Sequence, residues 1–163
     1  WAMFHVEAGN AHCAGSLAYL SVVEDGQVVL IGPQRVAPAA SVDSDAALWE
    51  TLDSFRAALR EVAPSAAAIL LPGTGAQARQ THSALSPRIE LETLLRLACV
   101  KEDVPIDRLP RATVRSRLGA ARSGSFETVV GPLISPVGGF WNAGRLCAAA
   151  AALAVEVVHA DSG

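Results

Sequence analysis

The chain opens on Ala2-Met3-Phe4-His5-Val6-Glu7-Ala8-Gly9-Asn10, a short apolar run that carries one carboxylate at its end and then breaks on glycine. The apolar residues predict a β-strand from Met3 to Glu7, and the glycine after it marks the end of that strand. What the rest of the chain places around Glu7 decides whether this carboxylate is a functional acid or an ordinary strand end.

Two further strands follow closely. Residues 17–23 and residues 27–31 are apolar runs, and Glu24-Asp25-Gly26 between them is a tight-turn sequence, because Asp-Gly tolerates positive φ. The N-terminal part of the chain is therefore predicted to be an antiparallel meander of three strands. Residues 32–42, which contain two prolines, are predicted to be a loop.

Beyond the meander, helical and strand patterns alternate. Apolar residues at positions 48, 52, 55, 59 and 62 follow helical spacing up to Pro64, and residues 66–71 form an unbroken apolar run typical of a central strand. A second helix is predicted to start at Ser86-Pro87, where serine is a cap and proline fits the first turn. Its buried face is expected to comprise Ile89, Leu91, Leu94, Leu95 and Ala98.

The C-terminal part completes this alternation. Residues 104–109 are predicted to form a strand at or near a sheet edge because of Pro105. Short helical segments capped by Thr113 and Ser125 follow, and residues 141–158 form an alanine-rich last helix. The order is βββαβαβα, which predicts an α/β fold: three antiparallel strands, then parallel strands with right-handed crossovers that place helices on both faces of a mixed sheet.

The composition indicates a globular protein. Hydrophobic residues make up 51% and charged residues 18% of the 163 residues, which excludes disorder and favours a single domain over residues 1–163. The net charge of −3 argues against generic polyanion binding by the whole chain. The cysteines form no C-x-x-C pair, no signal-peptide pattern is present, and the longest apolar run is about half of a membrane span. We therefore expect a cytoplasmic protein without membrane contact.

Four stretches of the chain resemble, in order and spacing, one known family. They are Glu7 to Gly9, then Ile89-Glu90-Leu91-Glu92-Thr93-Leu94-Leu95, then Val104-Pro105-Ile106 leading into Arg111-Ala112-Thr113-Val114-Arg115-Ser116-Arg117-Leu118-Gly119, and finally Trp141-Asn142-Ala143-Gly144-Arg145-Leu146-Cys147-Ala148-Ala149-Ala150. Together they resemble the RuvC-type Holliday-junction resolvases. The resemblance implies the ribonuclease H-like fold, which has the strand and helix order given above.

The resemblance also implies a metal site that this chain supplies only in part. The family's chemistry needs three or four carboxylates that converge on two Mg²⁺ ions, from strand one, the end of strand four and the start of the last helix. Glu7 matches the first position, but strand four ends in Leu70-Leu71-Pro72 and the last helix begins at Asn142, with Arg145 one turn on. The chain is therefore predicted to be catalytically degenerate and to hold no metal.

A basic segment is the strongest departure from average composition. Between Arg108 and Ser125 the chain carries arginines but no acid. Arginine has a planar fork of donors that suits phosphate, so this segment is a candidate nucleic-acid contact. The alternative is a solvated surface turn that is partly paired with neighbouring acids. The predicted nucleic-acid-binding residues are Arg111, Arg115, Arg117 and Arg122.

Three functions remain open from the sequence. The leading hypothesis is a degenerate ribonuclease H-like domain that binds a partner, either nucleic acid or protein. The first alternative is an active structure-selective nuclease that uses Mg²⁺ or Mn²⁺ and a relocated acid such as Glu90 or Glu92. The second alternative is a structural homodimer, formed through the bare alanine face expected on the last helix.

Overall fold

The computed structural model describes residues 2–7, 17–24, 27–29, 35–36, 45–71, 82–121, 126–133 and 143–160. These ranges form an α/β fold, which confirms the predicted class. One sheet contains the strands β1 (Ala2–Glu7), β2 (Leu17–Glu24), β3 (Gln27–Val29), β4 (Arg35–Val36), β5 (Ala67–Leu71) and β6 (Ile106–Pro110).

The sheet is mixed. Its path is β3-β2-β1-β5-β6, and the two-residue strand β4 pairs with β2. Strand β2 is antiparallel to β1 and to β3, whereas β5 is parallel to β1 and to β6. Strand β6 is thus an edge strand of the described sheet, as predicted from Pro105.

Helices cover the sheet. In the described ranges they are α1 (Asp45–Val62), α2 (His82–Lys101), α3 (Arg111–Arg117), α4 (Glu127–Val130), a 3₁₀ turn (Gly131–Leu133) and α5 (Ala143–Ala160). None of these described helices has both the length and the apolar character that a membrane crossing requires.

Strand β5 lies between two apolar cores. Ala67 and Ile69 pack with buried residues of α1 and α2, while Ala68 and Leu70 pack with α5. Successive residues of a strand point to opposite faces, so each face of β5 contributes to a different core. This burial explains why residues 66–71 show no polar alternation.

Helix α5 is enclosed by the rest of the chain. Residues 148–154 are at most 4% exposed, although they cover every direction around the helix axis. Helices α3 and α4 contact α5, as do strands β1, β2, β3 and β5. Residues 148–154 therefore do not form the bare alanine face that was expected on the last helix. A homodimer cannot form through these residues, because they are already buried within the chain.

Three boundaries differ from the sequence-based expectations. The predicted loop at 32–42 contains β4, and a two-residue strand is too short to produce a recognisable pattern. Helix α2 begins at His82 rather than Ser86 and continues through Pro87, although proline removes one backbone hydrogen bond. Helix α3 begins at Arg111, directly after Pro110, without a side-chain cap at Thr113.

The buried face of α2 also differs at its N-terminal end. Ile89 was expected to face inward but is 58% exposed. The inward positions of this part of the helix are taken by Arg88 and Glu92, which are buried together with Leu91. Because residue 89 is rotated by about 100° from residue 88, burying the charged pair turns Ile89 outward.

Charged hydrogen bonds tie α1 to the end of α2. Arg60 Nε donates to Glu102 Oε2 at 2.8 Å, and Arg56 Nε donates to Glu102 Oε1 at 2.6 Å. These hydrogen bonds, the one from Arg60 first, hold the pKa of the Glu102 carboxyl below its ordinary value. Ion pairs near the surface contribute little to stability, so the main consequence is a fixed position of α2 against α1.

We expect Ala149→Leu to lower the free energy of unfolding by about 1–3 kcal/mol, because added methylenes overpack a site without room. Ala149 is 0% exposed. The matched control is Ala57→Leu on the exposed side of α1, which should change stability by less than about 0.5 kcal/mol. Urea denaturation measures both variants, and a fully stable Ala149→Leu protein would show that α5 is loosely enclosed.

Candidate functional site

The carboxyl ends of β1 and β5 lie side by side at a switch point of the sheet. These strands are parallel neighbours, but the chain leaves β1 toward β2 on one side and reaches β5 and β6 on the other. The two strands pair from Ala2↔Ala67 to Phe4↔Ile69, whereas β1 continues to Glu7 and β5 to Leu71. In open α/β sheets ligands bind at such a switch point, outside the carboxyl ends of the strands.

A buried guanidinium lies at the carboxyl end of β5. Arg88 Nη2 donates to the backbone carbonyl of Leu70 at 3.3 Å, one residue before the end of β5. Arg88 Nε donates to Glu92 Oε1 at 2.7 Å, and the two side chains are only 7% and 11% exposed. The carboxyl end of β5 is therefore contacted by the Arg88–Glu92 pair. The strand itself supplies no acid at this end.

The carboxylate of Glu92 is committed to these arginines. Besides Arg88, the Nη2 atom of Arg108 lies 3.8 Å from Glu92 Oε2. A carboxylate shared between two guanidinium groups is electrostatically compensated and has little to offer a metal ion. Glu92 is thus a poor candidate for the relocated acid, while Glu90, one residue along from Ile89, is exposed on the outer surface of α2.

Of the two predicted catalytic residues, Glu7 lies within the described residues and Asn142 does not. Glu7 is the last residue of β1 and pairs with Leu17 of β2, so its backbone lies at the carboxyl end of β1. Asn142 lies outside the described residues, directly before the first residue of α5. Among the residues whose placement is described, no group of three or more His, Cys, Asp or Glu side chains could hold a metal ion.

The basic segment contains arginines of two kinds. Arg111 and Arg117 on α3 are half-buried, and the Arg108 side chain on β6 is 52% exposed. Arg115 is only 7% exposed, and its Nη1 donates to the carbonyl of Ala121 at 2.6 Å. Arg122 lies outside the described residues.

Arg115 is held inside the protein, and its predicted contact with nucleic acid stays a prediction. A buried guanidinium that is bound to a backbone carbonyl leaves little surface for an external phosphate. Its position supports the turn after α3, where Ala120 N donates to Arg115 O and Gly119 N donates to Ser116 O. With Gly119 at φ +61°, these bonds form a Schellman motif, in which glycine accepts the left-handed conformation.

An aromatic ring connects two of these arginines. The Cζ atoms of Arg111 and Arg115 lie 5.0 Å and 4.5 Å from the ring centroid of Phe126, which is itself 1% exposed. Both distances are within the range of a cation–π contact. Phe126 thus contacts two arginines that lie one turn apart on α3, a contact that the spacing of the arginines alone does not reveal.

The sequence carries one signal of the Arg88–Glu92 pair, which is the spacing of the two residues. Arginine and glutamate four residues apart on a helix are neighbours on its surface, so an ion pair was predictable from spacing. Its burial was not predictable, because that depends on the contact with Leu70 across the sheet.

No protein-family model and no curated protein matches this chain in sequence. Its structure is similar to RuvC of Thermus thermophilus in complex with a Holliday junction substrate, with a TM-score of 0.74 and 12% identity over 99% of this chain and 96% of that one. Another structure of Thermus thermophilus RuvC gives a TM-score of 0.70 and 11% identity, over 99% and 97% of the two chains.

A eukaryotic resolvase has the same fold. The yeast mitochondrial Holliday junction resolvase Ydc2 gives a TM-score of 0.56 and 11% identity, over 96% of this chain and 80% of that one. The chain therefore has the ribonuclease H-like fold of the RuvC resolvases, which confirms the resemblance at the level of the fold.

Removing the carboxylate of Glu92 should destabilise the protein strongly. We expect Glu92→Gln to cost about 3–5 kcal/mol, because it leaves the buried Arg88 guanidinium uncompensated. The double variant Arg88→Met, Glu92→Leu should recover most of this loss, since it removes both charges and keeps apolar volume.

The control for this prediction is Asp53→Asn. It breaks an exposed pair with Arg56, in which Asp53 is 65% exposed, and should change stability by less than about 0.5 kcal/mol. Chemical denaturation at neutral pH measures all three proteins. A Glu92→Gln variant as stable as wild type would mean that the pair is hydrated rather than buried.

Proposed function

We propose that this chain is a catalytically degenerate ribonuclease H-like domain that binds nucleic acid through phosphate contacts from its basic segment. The observation that carries the proposal is the arrangement of Arg108 and Arg111. Both guanidinium groups reach the surface within a segment from Arg108 to Phe126 that contains no carboxylate. A local concentration of arginine attracts a polyanion even when the whole chain is weakly acidic.

The proposal of degeneracy rests on the supply of carboxylates. A two-metal phosphodiesterase needs several acids close together, so that both ions are held and their charge is compensated. Residues 62–89 contain no Asp or Glu, and neither do residues 128–155, which include the start of α5. Glu7 is the remaining carboxylate at these positions, and the nearby Glu92 carboxylate is already paired with Arg88.

The similar structures give a reason to favour nucleic acid over a protein ligand. The Thermus thermophilus RuvC structure that superposes on 99% of this chain contains a Holliday junction substrate. A domain that loses its catalytic acids can still bind nucleic acid, because phosphate contacts from basic side chains do not depend on those acids. Fold similarity alone is an analogy, so the test must measure binding directly.

We expect binding to weaken as salt rises, with a slope of about −0.9 in log affinity against log salt for each phosphate contact on duplex DNA. The variant Arg108→Gln, Arg111→Gln should make the slope less steep by about two units and weaken all base sequences alike. Fluorescence anisotropy with single-stranded, duplex and four-way-junction DNA measures the slope.

The matched control is Arg96→Gln, which removes an exposed arginine of α2 and should leave the slope unchanged. Absence of binding to all three DNA forms in low salt would overturn the proposal. Cleavage of the junction in Mn²⁺ that is abolished by Glu7→Gln would instead support the alternative, an active structure-selective nuclease.

A second candidate function, a structural homodimer, is favoured by an apolar stripe on α2. Ile89, Leu97 and Val100 are 58%, 41% and 69% exposed, and they follow helical spacing along one face. Trp49 of α1 is 60% exposed beside a groove that Leu97 also lines. Large apolar side chains grouped in this way are typical of an interaction surface.

The charges beside the stripe suit a second copy of the chain. Glu90 lies near the start of the stripe and Lys101 at its end, on the same side of the helix. A two-fold axis that packs two α2 helices antiparallel brings Glu90 of each copy to Lys101 of the other. The surface is therefore complementary to itself, as a symmetric dimer requires.

Sedimentation velocity at tens of micromolar protein should show a dimer if this surface is used. Lys101→Glu is expected to weaken the dimer about tenfold through repulsion from Glu90, and adding Glu90→Lys should restore it. Glu61→Lys, on the exposed surface of α1, is the control and should have no effect. A monomer at these concentrations in wild type counts against the homodimer.

A further inference from the structure

Two arginines of α3 share one aromatic ring, but they differ in what else they contact. Arg115 is buried and donates to the Ala121 carbonyl at 2.6 Å, whereas Arg111 is half-buried. With the described residues Arg111 makes no hydrogen bond or ion pair, and its Cζ lies over the Phe126 ring, 5.0 Å from the centroid. The ring therefore holds Arg111 without occupying its donors.

Stacking and hydrogen bonding use different parts of a guanidinium group. The group is planar, its five N–H bonds lie in that plane, and its flat face contacts an aromatic ring. An arginine stacked on a ring can still offer two parallel N–H bonds to a phosphate. Arg111 is thus available for a bidentate contact while its orientation is fixed by Phe126.

Core packing and the turn after α3 both restrict the position of the Phe126 ring. Phe126 is 1% exposed and belongs to the core that includes Val114, Val130 and α5. The Schellman turn at Gly119 and the hydrogen bond from Arg115 to Ala121 fix the chain that leaves α3. Phe126 is therefore a rigid platform rather than a flexible surface side chain.

The charges favour an anion at this platform. The guanidinium carbons of Arg111 and Arg115 lie 5.0 Å and 4.5 Å from the same ring centroid, so both positive charges belong to one small region. Two cations that contact one ring favour an anion beside them.

We propose that Phe126, supported by Arg115, is a positioning residue that holds the Arg111 guanidinium ready to bind a phosphate group. The proposal deepens the nucleic-acid-binding function and rests on it for the identity of the ligand. Its physical basis is preorganisation: a long side chain that is already ordered loses less conformational freedom when it binds. Phe126 itself does not touch the phosphate.

The first experiment compares DNA affinity by fluorescence anisotropy with a labelled duplex. Phe126→Leu should weaken binding about three- to tenfold, the range expected when one ordered arginine becomes mobile. Phe126→Trp should retain the affinity, because it keeps an aromatic face. In an Arg111→Gln background, Phe126→Leu should cause no further loss, which a purely structural role of the ring would not predict.

Arg111→Lys provides a variant that does not endanger the core, because Arg111 is half-exposed. Lysine keeps the charge but lacks the planar fork, so binding should weaken by a similar factor. Arg117→Lys is the matched control, since Arg117 donates to the Ala154 carbonyl and has no ring contact in the described structure. We expect a smaller loss for Arg117→Lys than for Arg111→Lys, and equal losses would overturn the proposal.

The second experiment needs no nucleic acid and separates the two proposals. In nuclear magnetic resonance spectra, the Nε–H signal of Arg111 should be shifted by the ring current in wild type and lose that shift in Phe126→Leu. Titration with inorganic pyrophosphate should perturb this signal in wild type and perturb it less in Phe126→Leu. A perturbation without DNA binding overturns the nucleic-acid function but keeps the anion platform, while DNA binding with no effect of Phe126→Leu overturns the platform alone.

Discussion

The enclosure of α5 is the constraint on which the rest of the structure depends. A helix buried in every direction needs side chains small enough for neighbours to approach on all sides, and residues 148–152 are all alanine. The sheet covers one side of α5, while α3 and α4 contact it elsewhere. Because α3 lies against this helix, the other side of α3 carries arginines of the basic segment. Packing of an apolar helix thus determines where the arginines are presented.

The carboxyl end of β5 depends on a second constraint, the compensation of buried charge. Arg88 and Glu92 form an internal pair that is anchored to the Leu70 carbonyl. Such a pair is costly to break but adds little stability over an apolar replacement, so its value lies in fixing structure. Because the Glu92 carboxylate is used to compensate Arg88, the pair adds no net negative charge at this end of the strand, where a metal ion would need one.

Much of the fold could be predicted from the sequence, and the reasons for the failures are physical. Helix α1 and strand β5 were predictable because their burial is periodic or complete, which leaves a clear pattern in the residues. The start of α2 was missed because Ser86-Pro87 is a strong local signal that tertiary packing overrides. Ile89 was placed inward because sequence patterns assume apolar burial, whereas the chain buries the pair of Arg88 and Glu92 instead. The strand β4 is too short to show any pattern.

Some features of the candidate site were predictable from the sequence, whereas others depend on contacts that only the structure shows. The shortage of acids at the family's positions is visible in the sequence, because an absent carboxylate needs no structure to be noticed. The different roles of Arg111 and Arg115 are not visible, since both are arginines one turn apart on a single helix. They diverge only because Ala121 and Phe126 return to α3 after the turn at Gly119.

The proposed nucleic-acid binding requires that a chain of net charge −3 attract a polyanion. At physiological salt the screening length is about 8 Å, so the charges of distant surfaces contribute little at the basic segment. What counts is the number of cations that are held within that distance and can donate to phosphate. Under this proposal, a ring that keeps Arg111 in place while Arg115 is bound internally would make a small site of this kind, without an extensive positive surface.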